Sequence, residues 1–349
     1  MTRKMATIRR IEEIKAIPGA DSIECCILGG WNVVTRKDEY TAGDMAVYCE
    51  IDSFIPSTIA PFLTKPGHYA KTFEGVEGER LRTVKLRGQL SQGLLLPFTA
   101  EMAIMIGAGP NARFDDYIDM DVSDLLGIAK YEAPIPAALA GEVRGMFPSR
   151  IPKTDQERIQ NLSMELSEWK AENLTWEITE KLDGCSMTVY MLDGEVGVCS
   201  RNLDLKRNPD NSLWRAAIKH GLEEKLTNYG NLAVQGELVG NGIQSNMYKM
   251  RDQDFYVYDV YDVDIGRYFT PAERKTFVQA LNLLHCPVFH SCTQLLESDD
   301  AASLLRCAEG KSVMGDIAGL EREGLVFKCN EKQVSFKAIS NKFLLKNSN

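Results

Sequence analysis

The residues best suited to do chemistry lie in the pentapeptide Glu180-Lys181-Leu182-Asp183-Gly184. Lys181 follows a predicted strand and precedes a predicted turn, where a glycine lets the backbone approach a phosphate closely. A lysine acts as a nucleophile only after it loses a proton, which near neutral pH requires burial or a neighbouring cation. Lys181 is therefore a candidate nucleophile, although an isolated motif of this kind is more often a surface lysine at a turn.

Further segments rich in acids, bases and aromatic residues follow in order along the chain. They are Ser200-Arg201-Asn202, Gly236-Glu237-Leu238, Phe255-Tyr256-Val257-Tyr258-Asp259, Glu323-Gly324-Leu325-Val326-Phe327-Lys328 and Ser335-Phe336-Lys337. Each segment alone is a weak signal, but their ordered recurrence is not. Phosphoryl transfer needs cations that compensate charge and carboxylates that hold a metal ion, and a purine needs a flat apolar surface. The series contains residues of these three types.

This series resembles the covalent nucleotidyltransferases, which include ATP-dependent polynucleotide ligases and capping guanylyltransferases. It is most similar to the RNA ligase class whose OB domain precedes the catalytic domain, and segment 147–155 is also similar to that class. The resemblance implies an ATP-dependent RNA ligase that acts at nicks. Lys181 would attack the α-phosphate of ATP to form lysyl-AMP, AMP would pass to a 5′-phosphate RNA end, and a 3′-hydroxyl would displace AMP.

The resemblance also implies catalytic and metal-binding roles. Lys181, Lys337, Glu323 and Arg201 would be catalytic, with Lys337 on the α-phosphate and Arg201 on phosphate or ribose. Glu323, with Asp183 as a weaker candidate, would bind Mg²⁺, for which Mn²⁺ could substitute. For a lone Lys or Arg, a solvated charge at a strand edge is the ordinary alternative.

For the nucleotide, the resemblance implies a set of binding residues. ATP would contact Glu180 near the adenine amino group, Glu237 at the ribose, and Arg201 and Lys337 at the phosphates. Tyr258 is the candidate platform for adenine, because one stacked aromatic side chain contributes about 1 to 3 kcal/mol. An aromatic stripe in a strand more often belongs to the hydrophobic core, so a core role for Tyr258 is an equally good interpretation.

Two positions depart from the pattern of the related ligases. They often carry a second cation two residues after the last motif lysine, where this chain has Ile339 and the next lysine is Lys342. They also carry Asn five residues after the nucleophile, where this chain has Ser186. These departures concern the surroundings of the α-phosphate and the metal.

The predicted partner is RNA with 3′-hydroxyl and 5′-phosphate ends, on an RNA or DNA complementary strand. Arg82, Lys85 and Arg87, close to Arg80, are the candidate nucleic-acid residues of the N-terminal domain. A solvated hairpin face explains this cluster nearly as well. A second basic stretch carries five lysines: Lys328, Lys332, Lys337, Lys342 and Lys346.

The elements that must position these residues fall into two groups. Short apolar stretches at 8–17, 25–35, 44–51 and 81–90, broken by turn residues, predict a small OB-like β-barrel. Four prolines within 133–152 predict a connection. We therefore expect an OB-like domain at 1–130 and a linker at 131–153. The resemblance implies that residues 154–349 form an adenylyltransferase domain, that is, an ATP-grasp-like ligase domain.

The second domain is predicted to be α+β, with antiparallel sheets flanked by helices. Strands are expected at 176–180, 186–192, 195–200, 232–239, 255–263, 324–328 and 333–338, and helices at 213–226, 271–284 and 301–308. The form Thr154-Asp155-Gln156-Glu157 predicts a capping box and thus a helix start.

Composition limits the class of protein. The chain has 349 residues, 40 basic against 49 acidic side chains and a formal charge of −9, so any nucleic-acid site must be a local patch. Nine cysteines without framework spacing indicate reduced thiols. No signal peptide or bilayer-spanning run is visible. We expect a cytoplasmic monomer with no membrane partner.

Three alternatives stay open on the sequence alone. The first is a DNA ligase or guanylyltransferase of unusual domain order, although the residues after Lys337 are too few for the C-terminal barrel of those enzymes. The second is a non-catalytic nucleic-acid-binding protein that kept the fold. The third is an OB module of the tRNA-binding type, which segment 14–21 resembles but which would describe only the first third of the chain.

Overall fold

The computed structural model describes residues 3–108, 113–133, 141–315, 317 and 319–347. The chain divides into two compact units, one formed by residues 1–134 with 344–349 and the other by residues 135–343. Each unit has its own buried apolar clusters. No described helix is long and apolar enough to cross a membrane. All nine cysteines are free thiols.

The first unit is built from short antiparallel strands and one α-helix. The strands are β1 (Ala6–Arg10), β2 (Glu13–Ala16), β3 (Ile23–Leu28), β4 (Trp31–Arg36), β5 (Met45–Glu50), β6 (Ser53–Pro56), β7 (Lys71–Phe73), β8 (Val76–Arg80), β9 (Val84–Leu86), β10 (Gln89–Ser91), β11 (Gly93–Pro97) and β12 (Ala129–Lys130), and the helix is α1 (Ala100–Met105). They form sheets β1-β5-β11, β2-β3-β4, β12-β6-β8-β7 and β10-β9. Ile8, Val47 and Ile55 are fully buried between them.

The second unit contains two larger sheets. Its strands are β13 (Val143–Met146), β14 (Glu157–Arg158), β15 (Thr175–Lys181), β16 (Cys185–Leu192), β17 (Glu195–Cys199), β18 (Leu203–Leu205), β19 (Leu232–Gly240), β20 (Gln253–Asp262), β21 (Arg267–Tyr268), β22 (Leu284–His285), β23 (Val288–Gln294), β24 (Gly324–Cys329) and β25 (Ser335–Ile339). One sheet has the order β13-β18-β17-β16-β19-β20-β21, with β22 paired to β20, and the other the order β14-β25-β24-β15-β23.

Helices cover these sheets. They are α2 (Ser163–Ala171), α3 (Ser212–Lys219), α4 (Leu222–Leu226), α5 (Pro271–Ala280) and α6 (Ala301–Ala308). A further helix, α7 (Asn341–Asn347), follows β25, and its residues from Leu344 onward belong to the first unit. Trp214 of α3 is buried against Val234 and Phe255 of the larger sheet. Trp169 of α2 stacks on Phe336 of the smaller sheet, with ring centroids 5.7 Å apart. The expected α+β architecture with largely antiparallel sheets is confirmed.

The predicted capping box at 154–157 is wrong. Thr154 Oγ1 lies 3.0 Å from Ser186 Oγ, and the Glu157 carboxylate accepts a hydrogen bond from the Arg158 backbone N–H. Glu157–Arg158 is strand β14, which pairs in parallel with β25. Because both capping side chains have other partners, the helix starts only at Ser163.

Two predicted helices are shorter than expected. The helix expected at 213–226 is two helices, α3 and α4, separated by Gly221 in the left-handed region with φ of 63°. The helix expected at 271–284 ends at Ala280, and Leu284–His285 instead pairs with β20. Part of the predicted linker, Val143–Met146, pairs with β18, and residues 134–140 of that segment lie outside the described residues.

Candidate active site

A cavity of about 360 Å³ in the second unit collects the predicted site residues. It lies where β15 and β24 of the smaller sheet meet β16 and β19 of the larger one. All eight residues predicted for catalysis, nucleotide and metal line it: Glu180, Lys181, Asp183, Arg201, Glu237, Tyr258, Glu323 and Lys337. Residues far apart in the sequence therefore converge on one concave surface, as binding sites generally require.

Strand pairing places the candidate nucleophile beside an acid. Lys181, at the end of β15, pairs with Gly324 at the start of β24. Glu323 immediately precedes Gly324, and its Oε1 is 2.7 Å from Lys181 Nζ. Both side chains are largely shielded, with 26% of Lys181 and 16% of Glu323 exposed. This contact is the central geometric feature of the cavity.

The electrostatics of Lys181 differ from the simple expectation that burial activates it. Burial favours the neutral amine, but the negative charge around it, to which Glu323 contributes most, outweighs burial and holds the pKa of Lys181 above its usual value. In this structure Lys181 is thus an ammonium ion. Burial alone does not provide the nucleophile, and further positive charge near the carboxylates is needed to release the proton.

Two of these carboxyls are themselves perturbed. Burial, together with the charges of Glu323 and Asp183, raises the pKa of Glu237 to about 8, although Lys181 opposes the shift. Burial and the Glu323 charge likewise raise the pKa of Asp183. Glu237 is consequently neutral over most of the physiological range and able to donate a hydrogen bond.

The glycine of the lysine motif has a packing reason. A Cβ on Gly184 would lie 2.4 Å from the backbone oxygen of Leu238 and 2.7 Å from Val239 Cγ1. Gly184 therefore lets the turn after Lys181 lie directly against β19. We expected Gly184 to let the backbone approach a phosphate. In addition, the neighbouring strand β19 leaves no room for a side chain at this position.

Tyr258 takes part in a row of hydroxyl groups on the cavity wall. Its Oη lies 3.2 Å from Ser186 Oγ, which in turn is 3.0 Å from Thr154 Oγ1. Burial is the main cause that raises the pKa of Tyr258 well above its usual value. The amine of Lys328 lies 5.4 Å from the ring centroid of Tyr258. Ser186, one of the two departures from the family pattern, is thus part of this row.

Glu180 lines the cavity, but its carboxylate is engaged elsewhere. Successive strand residues point to opposite faces, so Glu180 and Lys181 diverge. The Glu180 carboxylate accepts hydrogen bonds from Ser312 Oγ and from the backbone N–H of Val313. The Glu180 carboxylate therefore already has two donors within the protein.

The two remaining predicted cations reach the cavity from different strands. Lys337 lies on β25 opposite Val326 of β24, and it is partly buried. Arg201 is 57% exposed and forms an ion pair of 2.5 Å with Asp155. Ile339, which stands where related ligases often carry a second cation, is buried. Lys342, the next lysine, is instead paired with Glu309 at 2.8 Å.

Sequence reasoning missed several residues of the cavity wall. Thr179 Oγ1 is buried, lines the cavity and has no hydrogen-bond partner within the described ranges. Gln244 Nε2 donates to the backbone oxygen of Gly184 at 3.2 Å, and Tyr248 Oη accepts from the Asp183 N–H at 2.8 Å. Thr179 lies two residues before Lys181, so strand alternation could have identified it; nothing in the sequence marks Gln244 or Tyr248.

The candidate nucleic-acid residues lie in the first unit. Arg82, Lys85 and Arg87 are exposed, and Lys85 Nζ donates to the backbone oxygen of Leu345. Arg80 is paired with Asp52. This leaves a basic surface around β9.

The second basic stretch does not form one surface. Lys328 is buried and paired with Asp259 at 2.5 Å. Lys332 is paired with Glu172. Lys337 lines the cavity and Lys342 is paired with Glu309. Their strands and helix direct these lysines to separate partners, and a role of this stretch in holding nucleic acid stays a prediction.

Comparison with known proteins identifies both units. An RNA ligase model matches residues 174–340, and an OB-fold domain model matches residues 5–98. A comparison with curated proteins gave no match. Among solved structures, a ligand-free mutant of the RNA ligase of Naegleria gruberi is 43% identical over 99% of both chains, with a TM-score of 0.80. Mutants of the same enzyme with ATP and Mn and with AMP and Mn show the same identity and coverage, each with a TM-score of 0.79.

These matches extend over nearly the whole chain and include both units. The predicted order, an OB fold followed by an RNA ligase domain, is confirmed. The predicted enzyme class is confirmed as well, since the similar structures are ligases. On this basis, together with the cavity that holds the motif residues, the chain belongs to the RNA ligase family.

Proposed function

We propose that this RNA ligase joins 3′-hydroxyl and 5′-phosphate RNA ends, at nicks in duplexes, through a lysyl-AMP intermediate on Lys181. The observation that carries the proposal is the position of Lys181 Nζ, 2.7 Å from Glu323, in a cavity that also contains Arg201 and Lys337. A nucleophilic amine, cations for phosphate and carboxylates for a metal ion are the parts that nucleotidyl transfer requires.

ATP fits the groups that line this cavity. Lys337 and Arg201 supply positive charge for phosphate oxygens, and neutral Glu237 supplies a donor or acceptor for a ribose hydroxyl. The buried, unpartnered hydroxyl of Thr179 offers a hydrogen bond to a bound nucleotide. The aromatic ring of Tyr258 is the proposed adenine platform. The Naegleria enzyme, similar over the whole chain, has been solved with ATP and with AMP.

Mg²⁺, or Mn²⁺ in its place, fits the acidic part of the cavity. Glu323 and Asp183 are the proposed ligands, and carboxylate oxygens are the donors that these hard cations prefer. In the described part of the chain no three acidic, His or Cys side chains form a complete metal site. Mg²⁺ usually keeps several waters and binds substrate phosphates besides one or two carboxylates, so Glu323 and Asp183 would suffice as its protein ligands. Such an ion supplies positive charge that offsets the carboxylates around Lys181.

The residues of the chain divide the work of the first step. Lys181 Nζ, once neutral, attacks the α-phosphorus of ATP, a P–N bond forms, and the bond to the departing pyrophosphate breaks. Glu323 orients Nζ through their contact of 2.7 Å. Lys337 and Arg201 stabilise the charge that develops on the phosphate oxygens. AMP then passes to the 5′-phosphate of RNA, and the 3′-hydroxyl displaces it.

RNA is proposed to contact the basic surface of the first unit. Arg82, Lys85 and Arg87 are exposed there, and the overall charge of −9 makes such a local surface the expected site of phosphate contacts. The domain limits proposed for this division of labour are residues 1–130 for the OB domain and 154–349 for catalysis. The proposed enzyme is a monomer.

The first test is self-adenylylation. AMP-free protein is incubated with Mg²⁺ and ATP labelled at the α-phosphate, and the label that stays on the protein is measured on a denaturing gel. Label on the wild type and on Lys37→Ala, an exposed lysine of the first unit, but none on Lys181→Ala is the expected result. Absence of label on the wild type with both Mg²⁺ and Mn²⁺ would favour a non-catalytic binding protein.

The second test concerns the substrate. Equal amounts of labelled protein are offered a nicked RNA duplex, an RNA nick on a DNA strand, a DNA nick and single-stranded RNA ends. The proposal predicts that sealing is fastest at nicks whose 3′-hydroxyl strand is RNA. Preference for an all-DNA nick would identify a DNA ligase, and labelling by GTP instead of ATP would indicate a guanylyltransferase.

A further inference from the structure

A second concave surface lies in the unit that holds the active site. It is a groove of about 490 Å³ between α3 and the loop 241–252, which connects β19 to β20. Its lining includes Arg215, Lys219, Asn241, Arg251 and Gln253. Cations and amides dominate this lining, and none of the described side chains that line it is aromatic.

The charges of the groove are only partly compensated. Arg215 donates to neutral acceptors alone, the backbone oxygen of Asp210 at 3.1 Å, Ser212 Oγ at 3.0 Å and Gln253 Oε1 at 3.1 Å. Arg251 is exposed and forms no hydrogen bond or ion pair with any residue that the structure describes.

The remaining charged groups carry a net charge of −1, so the groove together with Asp254 carries a net charge of +1. Lys219 binds Asp254 Oδ1 at 2.5 Å and the backbone oxygen of Gln253 at 2.8 Å. The carboxylate of Asp252 is the other acidic group at the groove. Two arginines without an acidic partner therefore face solvent together, in a protein whose formal charge is −9.

The loop that forms one wall of this groove is tied to the nucleophile motif. Tyr248, only 3% exposed, accepts a hydrogen bond at its Oη from the backbone N–H of Asp183, and Gln244 donates to the backbone oxygen of Gly184. Asn241 and Arg251 lie at the two ends of the same loop. One short segment thus contacts the turn after Lys181 on one side and the groove on the other.

The backbone of this loop is strained into a defined shape. Gln244, Asn246 and Lys249 have φ of 46°, 45° and 51°, in the left-handed region that non-glycine residues rarely adopt. The Asn246 side chain bonds both the N–H and the oxygen of Met250, which holds the bend. Strained segments of this kind are characteristic of functional sites, where the surrounding contacts maintain them.

We propose that this groove binds the phosphate backbone of the RNA substrate beside the ends that are joined. Arginine matches phosphate oxygens with a planar set of donors, and the absence of aromatic lining makes the contact independent of base sequence. The rigid loop would set the distance between these phosphates and Lys181. The inference rests on the proposed function, which supplies the RNA.

The test measures RNA affinity against salt concentration. The probe is a fluorescein-labelled nicked RNA duplex with a 3′-hydroxyl and a 5′-phosphate at the nick, and the protein is the full chain. Arg215→Gln combined with Arg251→Gln is expected to weaken binding about tenfold and to lower the slope of log K against log salt by about one for each lost contact. The matched control combines Lys37→Gln with Arg306→Gln, two exposed cations elsewhere.

Self-adenylylation on the same preparations separates the possible failures. If the wild type is labelled and binds RNA while the double variant has unchanged affinity and slope, the groove inference is overturned and the proposed function stands. If the wild type neither takes the label nor binds the duplex, both fail. Arg251→Gln alone keeps the assay decisive should the double variant misfold, because the Arg251 side chain is exposed and forms no hydrogen bond or ion pair with the described residues.

Discussion

At the scale of single residues, the resting site holds its nucleophile in the unreactive form. Burial would lower the pKa of Lys181, but the negative charge of the neighbouring Glu323 is the main influence that outweighs burial and raises that pKa. Such an arrangement couples activation to the arrival of positive charge, because the proton leaves only when the carboxylates are offset. An ammonium ion paired with Glu323 also keeps the amine fixed in position before substrate binds.

The pH dependence of self-adenylylation follows from this charge state. Since the pKa of Lys181 is raised, the neutral amine is the minor form, and its fraction grows about tenfold per pH unit until the pKa is reached. We expect kcat/KM for ATP in labelling, measured in single turnovers far below saturation so that it reports the free enzyme, to rise with that slope across the neutral range. A rate independent of pH from mildly acidic conditions upward would contradict a protonated resting lysine.

Glu237 provides a second prediction at this scale. With a pKa of about 8 its carboxyl is protonated at pH 7, below that value, and glutamine reproduces both its shape and its lack of charge. Glu237→Ala should raise the KM for ATP in self-adenylylation at least about tenfold, the cost of about one lost hydrogen bond. Glu237→Gln should stay close to the wild type. Equal damage by both substitutions would mean that the site uses an ionised carboxylate.

Much of the cavity could be predicted from the sequence because its residues sit at fixed places relative to strand ends. Lys181 and Glu323 flank paired strands, so their proximity follows once β15 and β24 are adjacent. Tyr248 and Gln244 could not be found in this way, since they lie on a loop whose path depends on left-handed backbone angles and on contacts with a distant turn.

At the scale of elements, the two sheets of the second unit are joined by a buried ionic network. Glu177 of β15 is fully buried and binds Arg274 of α5, and Lys275 Nζ lies 2.7 Å from its other oxygen. Arg274 Nε also donates to His285 Nε2 at 3.0 Å. Burial would raise the pKa of Glu177, but the two cations outweigh it and lower that pKa. The network thus links the smaller sheet to α5, which packs on the larger one.

Arg274→Met tests this link. The substitution leaves the Glu177 charge buried with Lys275 alone, and breaking a buried pair by removing one partner costs about 3 to 5 kcal/mol. We expect a loss of that size in the free energy of unfolding at pH 7, measured by urea titration with tryptophan fluorescence. In the wild type the contribution is present at neutral pH and is lost as pH falls through the lowered pKa of Glu177.

The exposed Arg306 of α6 offers a matched comparison for this experiment, because Arg306→Met changes the same atoms without touching a buried partner. A loss for Arg274→Met no greater than that for Arg306→Met would show that the network contributes little to stability.

Strands of this fold were easier to predict than helix limits. The segments expected at 186–192 and 324–328 lie within β16 and β24, because runs of buried apolar residues distinguish them. The break between α3 and α4 depends on Gly221 adopting φ of 63°, which a helical pattern of apolar residues does not reveal. The predicted capping box is wrong for a similar reason. Thr154 Oγ1 contacts Ser186 Oγ of β16, and this contact between distant residues is not visible in the local sequence.

At the scale of the whole molecule, positive charge is concentrated on local surfaces of a protein that is acidic overall. The formal charge of −9 repels a polyanion, so RNA must be held by surfaces where cations lack acidic partners. The sequence alone suggested two such stretches, and the one at Arg82, Lys85 and Arg87 forms an exposed surface in the described structure. The lysines of the other stretch are directed to separate partners, as Lys328 is to Asp259.

Reversal of charge on the first unit tests this distribution. Arg82→Glu combined with Lys85→Glu replaces two exposed cations by anions. The double variant should bind the nicked RNA duplex more weakly and with a flatter dependence on salt. Each lost phosphate contact lowers the slope of log K against log salt by about one. Lys37→Glu, at another exposed lysine of the same unit, changes the net charge without altering that surface. Binding by anisotropy at several salt concentrations distinguishes the cases: if the single control reversal weakens RNA binding as much per charge as the double variant, net repulsion explains the effect and the surface around β9 is not a specific contact.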